Sequence, residues 1–373
     1  MSSERAKHLA GAKRVVIKVG SSLLAASPAG RPAAIADELA MLEDRGIEAV
    51  IVSSGAIALG LGGLGLTSRP TDLPSLQAAA AIGQSRLLQN WEHAFAAHGG
   101  RIAQILLTHD DVSSRVRFLN ARHALLALLR AGVVPIVNEN DTVAIDEIRY
   151  GDNDQLAALV CNLVSADALV IYTDVDGLHD ADPRSGGVRI PLVTDIDSQA
   201  RAASATSTSG LGSGGMASKV MAAKNAARFG IPTVVVPGAR PGILLSALTG
   251  QDVGTLFVPD AQSIGSRKHW IGFAAKPVGE LIVDTGAHRA LRKNGSSLLP
   301  VGLVEVRGDF ERGALVSLVT QEGTSFARGL TSYGASDLRK LCGCKSSEIE
   351  ARLGYRYLDA VVHRDDLVLE KVV

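Results

Sequence analysis

Arg14-Val15-Val16-Ile17-Lys18-Val19-Gly20 is a short β-branched apolar run that ends in a glycine. A run apolar at both odd and even positions is the pattern of a strand buried on both faces. Five more follow: EAVIVSSG from 48, RIAQILLT from 101, VVPIVNEN from 133, ALVIYTD from 168 and PTVVVPG from 232. Between them, residues 32–45, 74–98, 115–131, 153–164 and 216–229 have helical character. Strands alternating with helices predict an α/β fold, a three-layer sandwich around a mainly parallel sheet. In such sheets ligands bind beyond the carboxyl ends of the strands. The polar clusters of this chain fall there.

The chain has 373 residues, enough for two domains. At 46% hydrophobic it is globular rather than disordered. Its 38 basic and 38 acidic residues leave no formal net charge. Nothing global draws it to nucleic acid or membrane, so any bound anion must be held by a few placed groups. Cys161, Cys342 and Cys344, an odd count with one C-x-C, match neither a disulfide framework nor the usual zinc spacing. They read as thiols of a reducing, cytoplasmic compartment. The start, MSSERAKHLAGAKR, lacks an apolar core of signal-peptide length. No run approaches the roughly 18 apolar residues of a spanning helix, so no membrane partner is expected.

After about residue 258 the texture changes. PDAQSIGSRKHWIGFAAKP reads as a connector, and the strand-like runs GELIVD, GLVEVRG, ALVSLVT and LDAVVH follow between Gly-rich turns. The expected division is 1–257, a linker at 258–277, and a small, mostly β domain at 278–373. SATSTSGLGSGG at 204–215 is too polar and Gly-rich for a regular element and is expected to be a mobile loop.

Five clusters can carry chemistry. Lys18 closes an apolar strand before Gly20-Ser21-Ser22. It is either a solvated strand-end lysine or, with the N–H groups of the turn, a ligand for phosphate oxygens. Ser53-Ser54-Gly55-Ala56 is either a plain serine N-cap or an anion-holding strand-to-helix turn. Asn138-Glu139-Asn140-Asp141 and Gly151-Asp152-Asn153-Asp154 flank TVAIDEIRY, which has the pattern of a hairpin. Their amides and carboxylates suit an amino acid or the orientation of lysines, whereas Asp152 or Asn153 alone suits a helix cap. GDND lacks the glycine and terminal glutamate of an EF-hand loop. Thr173-Asp174-Val175-Asp176-Gly177 is either an Asp-Gly turn or a holder of nucleotide polar groups. The glycine-rich stretch from 210 runs into a helix with Lys219 in its first turn. A lysine there opposes the helix dipole unless an anion is bound.

Three resemblances to other motifs fail. GLGGLG at 60–65 follows a helix-like segment, not a strand, so it lacks dinucleotide-binding context. No G-x-x-x-x-G-K-[ST] occurs. His363-Arg364-Asp365 lacks the other signatures of a protein-kinase catalytic loop.

Taken in order, KVGSS, SSGAIALG, AAAAIGQSRLLQNWE, LLTHDDVSSRVRFLNAR, VPIVNENDTVA, GDNDQLAALV, TDVDGLHDADPR and GSGGMASK resemble the amino acid kinase family over nearly the whole chain. The resemblance implies ATP-dependent phosphorylation of the γ-carboxylate of L-glutamate to L-glutamyl 5-phosphate, the first step of proline biosynthesis. It implies that Lys18 and Lys219 hold the β- and γ-phosphates and that Asp154 orients both. It implies that Ser54, Asp141 and Asn153 bind glutamate, with Asn138 and Asp152 nearby. Thr173, Asp174 and the loop Ser213, Gly214, Gly215, Met216, Ala217, Ser218 and Lys219 would bind ATP. Magnesium as cofactor, proline as feedback inhibitor and a homodimer or homotetramer are implied in the same way. No residue is singled out as a protein ligand for a metal. Ser213 and Ser218 stand where threonine is frequent, and His179 where tyrosine is frequent.

GELIVDTGAHRAL, GSSLLP, GLVEVRGDFERG and SDLRKLCG resemble a PUA domain, a type that often binds RNA. Residues 277–373 carry 13 basic and 13 acidic side chains, which gives RNA no net attraction. Two other readings stay open: a kinase for another carboxylate or carbamate in the same family, and an RNA-interaction protein. Lys18, Lys219 and Asp154 argue against the second. Attack by a carboxylate, already ionised at neutral pH, needs charge neutralisation and in-line positioning rather than a general base. No His or Cys nucleophile occurs in the clusters.

Overall fold

The computed structural model describes residues 2–26, 30–143, 153–182, 186–199, 215–259 and 277–369. The chain divides into two compact units, Met1–Ile264 and Gly265–Val373. The expected hairpin (residues 144–150), the loop to residue 214 and the connector (260–276) lie outside the described residues.

The first unit holds β1 (Arg14–Val19), β2 (Glu48–Ser53), β3 (Arg101–Leu107), β4 (Val133–Glu139), β5 (Ala168–Thr173), β6 (Leu192–Val193), β7 (Thr233–Pro237) and β8 (Thr255–Phe257). They form one sheet in the order β3-β4-β2-β1-β5-β7-β8-β6. Neighbours are parallel except β7 and β8. Side chains alternate between the two faces. Val16, Val52, Val137, Leu169 and Ile171 pack with the helices Arg115–Arg130, Asn153–Val164 and Met216–Ala227. Val15, Ile17, Ile51, Val170 and Tyr172 pack with Gly30–Glu43, Leu73–Ala96 and Ile243–Leu248. Two apolar layers on one sheet give the three-layer sandwich.

Two expectations need correction here. RIAQILLT is not buried on both faces. β3 is the sheet's edge, bonded to β4 alone, and only Leu107 in it is buried. The short β6 and β8 were not foreseen, because two or three residues show no periodicity.

The second unit is a five-stranded sheet in the order β10-β9-β11-β12-β13. Its strands are β9 (Glu280–Val283), β10 (Leu303–Arg307), β11 (Leu315–Thr320), β12 (Ser325–Thr331) and β13 (Val362–Leu369). The β9–β11 pair is parallel and the other pairs are antiparallel. LDAVVH enters β13 only with Val362 and His363. The segment before it is held by Tyr333, whose hydroxyl accepts the N–H groups of Tyr357 (3.0 Å) and Leu358 (2.9 Å). Tyr333 takes the place of a strand partner at Tyr357 and Leu358, while Val361 already pairs with Leu298 and Ser332, so the alternating pattern there misled about where the strand begins. The Gly-containing β12 was missed for the opposite reason: its sequence looks like a turn.

Candidate active site

Lys18 lies one residue before the end of β1, and alternation places it on the face covered by Asn153–Val164 and Met216–Ala227. β2 flanks β1 on one side and β5 on the other, with Lys18 level with Val52 and Ile171. The chain passes from one side of β1 to the other there, the position where open α/β sheets form a binding crevice. Gly20 follows directly, with the Lys18 ammonium 3.9 Å from where a Cβ would stand.

The first turns of the two covering helices bring Asp154 and Lys219 to the same point. Lys18 Nζ is 2.7 Å from Asp154 Oδ1, and Lys219 Nζ is 3.3 Å from Asp154 Oδ2. All three side chains are buried, Asp154 completely. Burial by itself would push the Asp154 carboxyl up, but the ammonium groups of Lys18 and Lys219 outweigh it and hold the pKa below the ordinary value. For Lys219 burial dominates and lowers the pKa; Asp154 opposes this and Lys18 adds to it. Two cations around one anion leave a net positive, water-poor point that suits an anionic ligand. Lys18 is therefore not the solvated strand-end lysine that was the alternative.

Beside this triad runs a chain of side-chain amides. Asn153 Nδ2 donates to Ser54 Oγ at 2.8 Å and to Asn138 Oδ1 at 2.9 Å. Asn138 Nδ2 donates to Gln84 Oε1 at 2.8 Å. Asn138 and Asn153 are buried to about the same degree as the core. Neither serine caps the helix Ala56–Gly60. Its N-cap is Gly55, at φ 107°, a left-handed conformation that glycine adopts without strain. Ser54 is thereby released to meet Asn153, while Ser53 Oγ accepts from Trp91 Nε1 at 3.0 Å.

Asp141 is buried and lines a cavity of about 220 Å³ with Gln84, Glu139, Asn140 and Thr142. A second, mostly apolar cavity of about 170 Å³ lies at the other ends of β2 and β4, by Glu48 and Val133, away from these groups. On the nucleotide side of the expected site, Thr173 ends β5 and donates through Oγ1 to Asp174 Oδ1 at 3.1 Å. Asp174 is close enough to Lys219 to raise its pKa. Gly215 is the N-cap of Met216–Ala227, and its carbonyl accepts the N–H of Ser218 at 3.1 Å. Met216 packs on the core and Ala217 continues the first turn. His179 pairs with Asp176 at 3.0 Å. Asp152, Ser213 and Gly214 lie outside the described residues. Among the described residues no three His, Cys, Asp or Glu side chains gather as a metal site, and no helix is long and apolar enough to cross a membrane.

Sequence reading missed Gln84. It lies inside a regular helix, 54 residues from its partner Asn138. The signal available was Gly60 and Gly83. A Cβ on Gly60 would sit 1.7 Å from Ala79 O, and one on Gly83 would sit 1.7 Å from Ala56 O. The two glycines let the helices Ala56–Gly60 and Leu73–Ala96 cross backbone to backbone, which carries Gln84 to the strand ends. Gly60, the first glycine of the GLGGLG run, serves this crossing.

Fold and site together define an α/β protein with a buried cationic cluster at the carboxyl edge of its sheet. The amino acid kinase family profile matches residues 13–237, and the PUA domain profile matches 279–353. The chain belongs to the amino acid kinase family. It is 50% identical over 363 residues to the glutamate 5-kinase of Pelobacter propionicus, covering 96% of this chain and 97% of that protein. It is 49% identical to the glutamate 5-kinase of Geobacter sulfurreducens, covering 97% and 98%. It is 50% identical to that of Myxococcus xanthus, covering 97% of each. A solved UMP kinase from Bacillus anthracis aligns with a TM-score of 0.45 at 18% identity, over 67% of this chain and 97% of that one.

Proposed function

We propose that this chain transfers the γ-phosphoryl group of ATP to the side-chain carboxylate of L-glutamate, giving L-glutamyl 5-phosphate and ADP as the first step of proline biosynthesis. The observation that carries the reading is the buried Lys18–Asp154–Lys219 cluster. The relatives named glutamate 5-kinase supply the identity of the acceptor.

In this reading a γ-carboxylate oxygen forms the new bond to phosphorus as the bond to the ADP oxygen breaks. The carboxylate carries no proton to remove, so no base is needed. Lys18 and Lys219 neutralise charge on the transferring group, and Asp154 holds both ammonium groups in place. Ser54, Asn153 and Asp141 bind the acceptor, with Asn138 and Asp152 close by. Thr173, Asp174 and the segment 213–219 bind ATP.

Magnesium fits the donor set only as a companion of the nucleotide. Asp154 is committed to two lysines, and Mg²⁺ usually keeps its waters and binds substrate phosphates with one or two carboxylates. Asp174 is such a carboxylate. The ion would screen the phosphate charges. Proline inhibition at an overlapping site, a homodimer or homotetramer, and a cytoplasmic location rest on the family resemblance.

The test is glutamate-dependent acyl-phosphate formation, trapped as the hydroxamate with hydroxylamine in the presence of ATP and magnesium. Hydroxamate with glutamate is expected. Product with aspartate or acetylglutamate and none with glutamate would move the reading to another carboxylate.

A further inference from the structure

Gln84 belongs both to the amide chain and to the cavity that Asp141 lines. Its Oε1 accepts from Asn138 Nδ2, so the Asn138 carboxamide must turn Oδ1 toward Asn153. The other end of the Gln84 carboxamide, Nε2, is a donor only. That atom exposes almost no surface and has no hydrogen-bond partner among the described residues. A buried amide N–H without an acceptor is costly. Beside a cavity, it marks where an acceptor atom of a ligand belongs.

The helix Leu73–Ala96 is built to hold Gln84 there. Trp91, two turns further on the same face, is anchored to Ser53. Gly83 sets the close crossing immediately before Gln84. The helix is thereby held one residue before Gln84, at Gly83, and seven residues after it, at Trp91, which positions a recognition group.

We infer that Gln84 sets acceptor specificity: Nε2 donates to the α-carboxylate of the amino acid, while Oε1 keeps Asn138 in register. This rests on glutamate being the acceptor, as proposed above. At its α-carbon glutamate carries an ammonium and a carboxylate. Glu139 and Asp141, which line the cavity, suit the ammonium and repel a carboxylate. Among the described residues no Lys or Arg lines the cavity, so the donor it offers an α-carboxylate is a neutral one. Among the amides lining the cavity, Gln84 is the one bonded to Asn138.

The experiment compares Gln84→Glu and Gln84→Met with the unmodified full chain in the hydroxylamine assay. Glutamate, ATP and 4-aminobutyrate, which is glutamate without its α-carboxylate, are each varied. Gln84→Glu keeps an acceptor for Asn138 and replaces the donor with an anion. Its KM for glutamate should rise roughly ten- to hundredfold with the KM for ATP unchanged. Its preference for glutamate over 4-aminobutyrate should fall by the same factor. Gln84→Met should lose the same preference and also kcat, because Asn138 loses its acceptor. An unchanged preference in either folded variant overturns the inference, as does an equal rise in both KM values. Absence of glutamate hydroxamate with the unmodified chain overturns the proposed function instead.

Discussion

The Lys18 ammonium and the Asp154 carboxylate meet at 2.7 Å across a strand and a helix 136 positions apart in sequence, and both are buried. Lys219 closes the cluster from a third element at 3.3 Å. Burial disfavours the charged form of Lys219, and the Asp154 carboxylate opposes that. Asp154 in turn is held below its ordinary pKa by the two ammonium groups around it.

Lys219→Ala should lower kcat far more than it weakens glutamate binding. Groups that stabilise charge developing in transfer are worth about 10²–10³ in rate, and the proposed function assigns Lys219 to the phosphates rather than to the amide chain. Hydroxamate rates together with calorimetric binding of glutamate check it. Collapse of glutamate binding with turnover intact would reverse the assignment.

Asp154→Asn should cost stability as well as rate. It leaves two buried ammonium groups without their counter-ion, a loss of about 3–5 kcal/mol for a broken buried pair. The pH dependence has a definite sign. The folded pKa lies below the ordinary 3.8, so the stabilisation is complete above that value and is lost as pH falls through the folded pKa. Denaturant titrations at neutral pH and between pH 5 and 2 should show the variant less stable at neutrality and less acid-sensitive.

Lys219 sets a limit at the alkaline end. Burial lowers its pKa below 10.5, so it loses its charge earlier than an exposed lysine does. The kcat profile should fall on the alkaline side before 10.5. Lys219→Arg should lack that fall, because a guanidinium stays charged there. A profile unaffected by the substitution would remove Lys219 from the charged machinery.

The sheet and the triad were legible because each leaves a local mark. Val16 and Ile17 are apolar on successive positions, and Lys18 is the polar exception at a strand end. Lys219 stands out against the dipole of its own helix. Ser54 was ambiguous, since a cap and a ligand have the same sequence signature, and only the left-handed Gly55 released it from capping. β3 misled because an edge strand and a central one share residue types. Gln84 carries no mark of its own: its meaning lies in a contact with Asn138 that depends on how closely two helices cross, and only Gly60 and Gly83 hint at that crossing.

Ser54→Ala should raise the KM for glutamate and leave that for ATP in place. The hydroxyl accepts from Asn153 at 2.8 Å, and a neutral hydrogen bond of this kind contributes about 1 kcal/mol, roughly a fivefold effect. Initial rates with each substrate varied separately decide it. A matching rise for ATP would place Ser54 with the nucleotide.

Gly83→Ala tests how helix crossing reaches the site. The new methyl would meet Ala56 O at 1.7 Å, so the two helices must part. Overpacking of this sort costs about 1–3 kcal/mol and more when the obstacle is backbone, which in a unit of this size lowers Tm by roughly 2–4 °C per kcal/mol. Gly62→Ala is the control. Its nearest neighbour would be the tip of Arg86 at 3.9 Å, so stability should hold within about 0.5 kcal/mol. Because the crossing positions Gln84 against Asn138, Gly83→Ala should also raise the KM for glutamate more than that for ATP. Thermal melts and initial rates on the pair of variants separate the two effects. Lower stability with an unchanged glutamate KM would confine the glycine pair to packing.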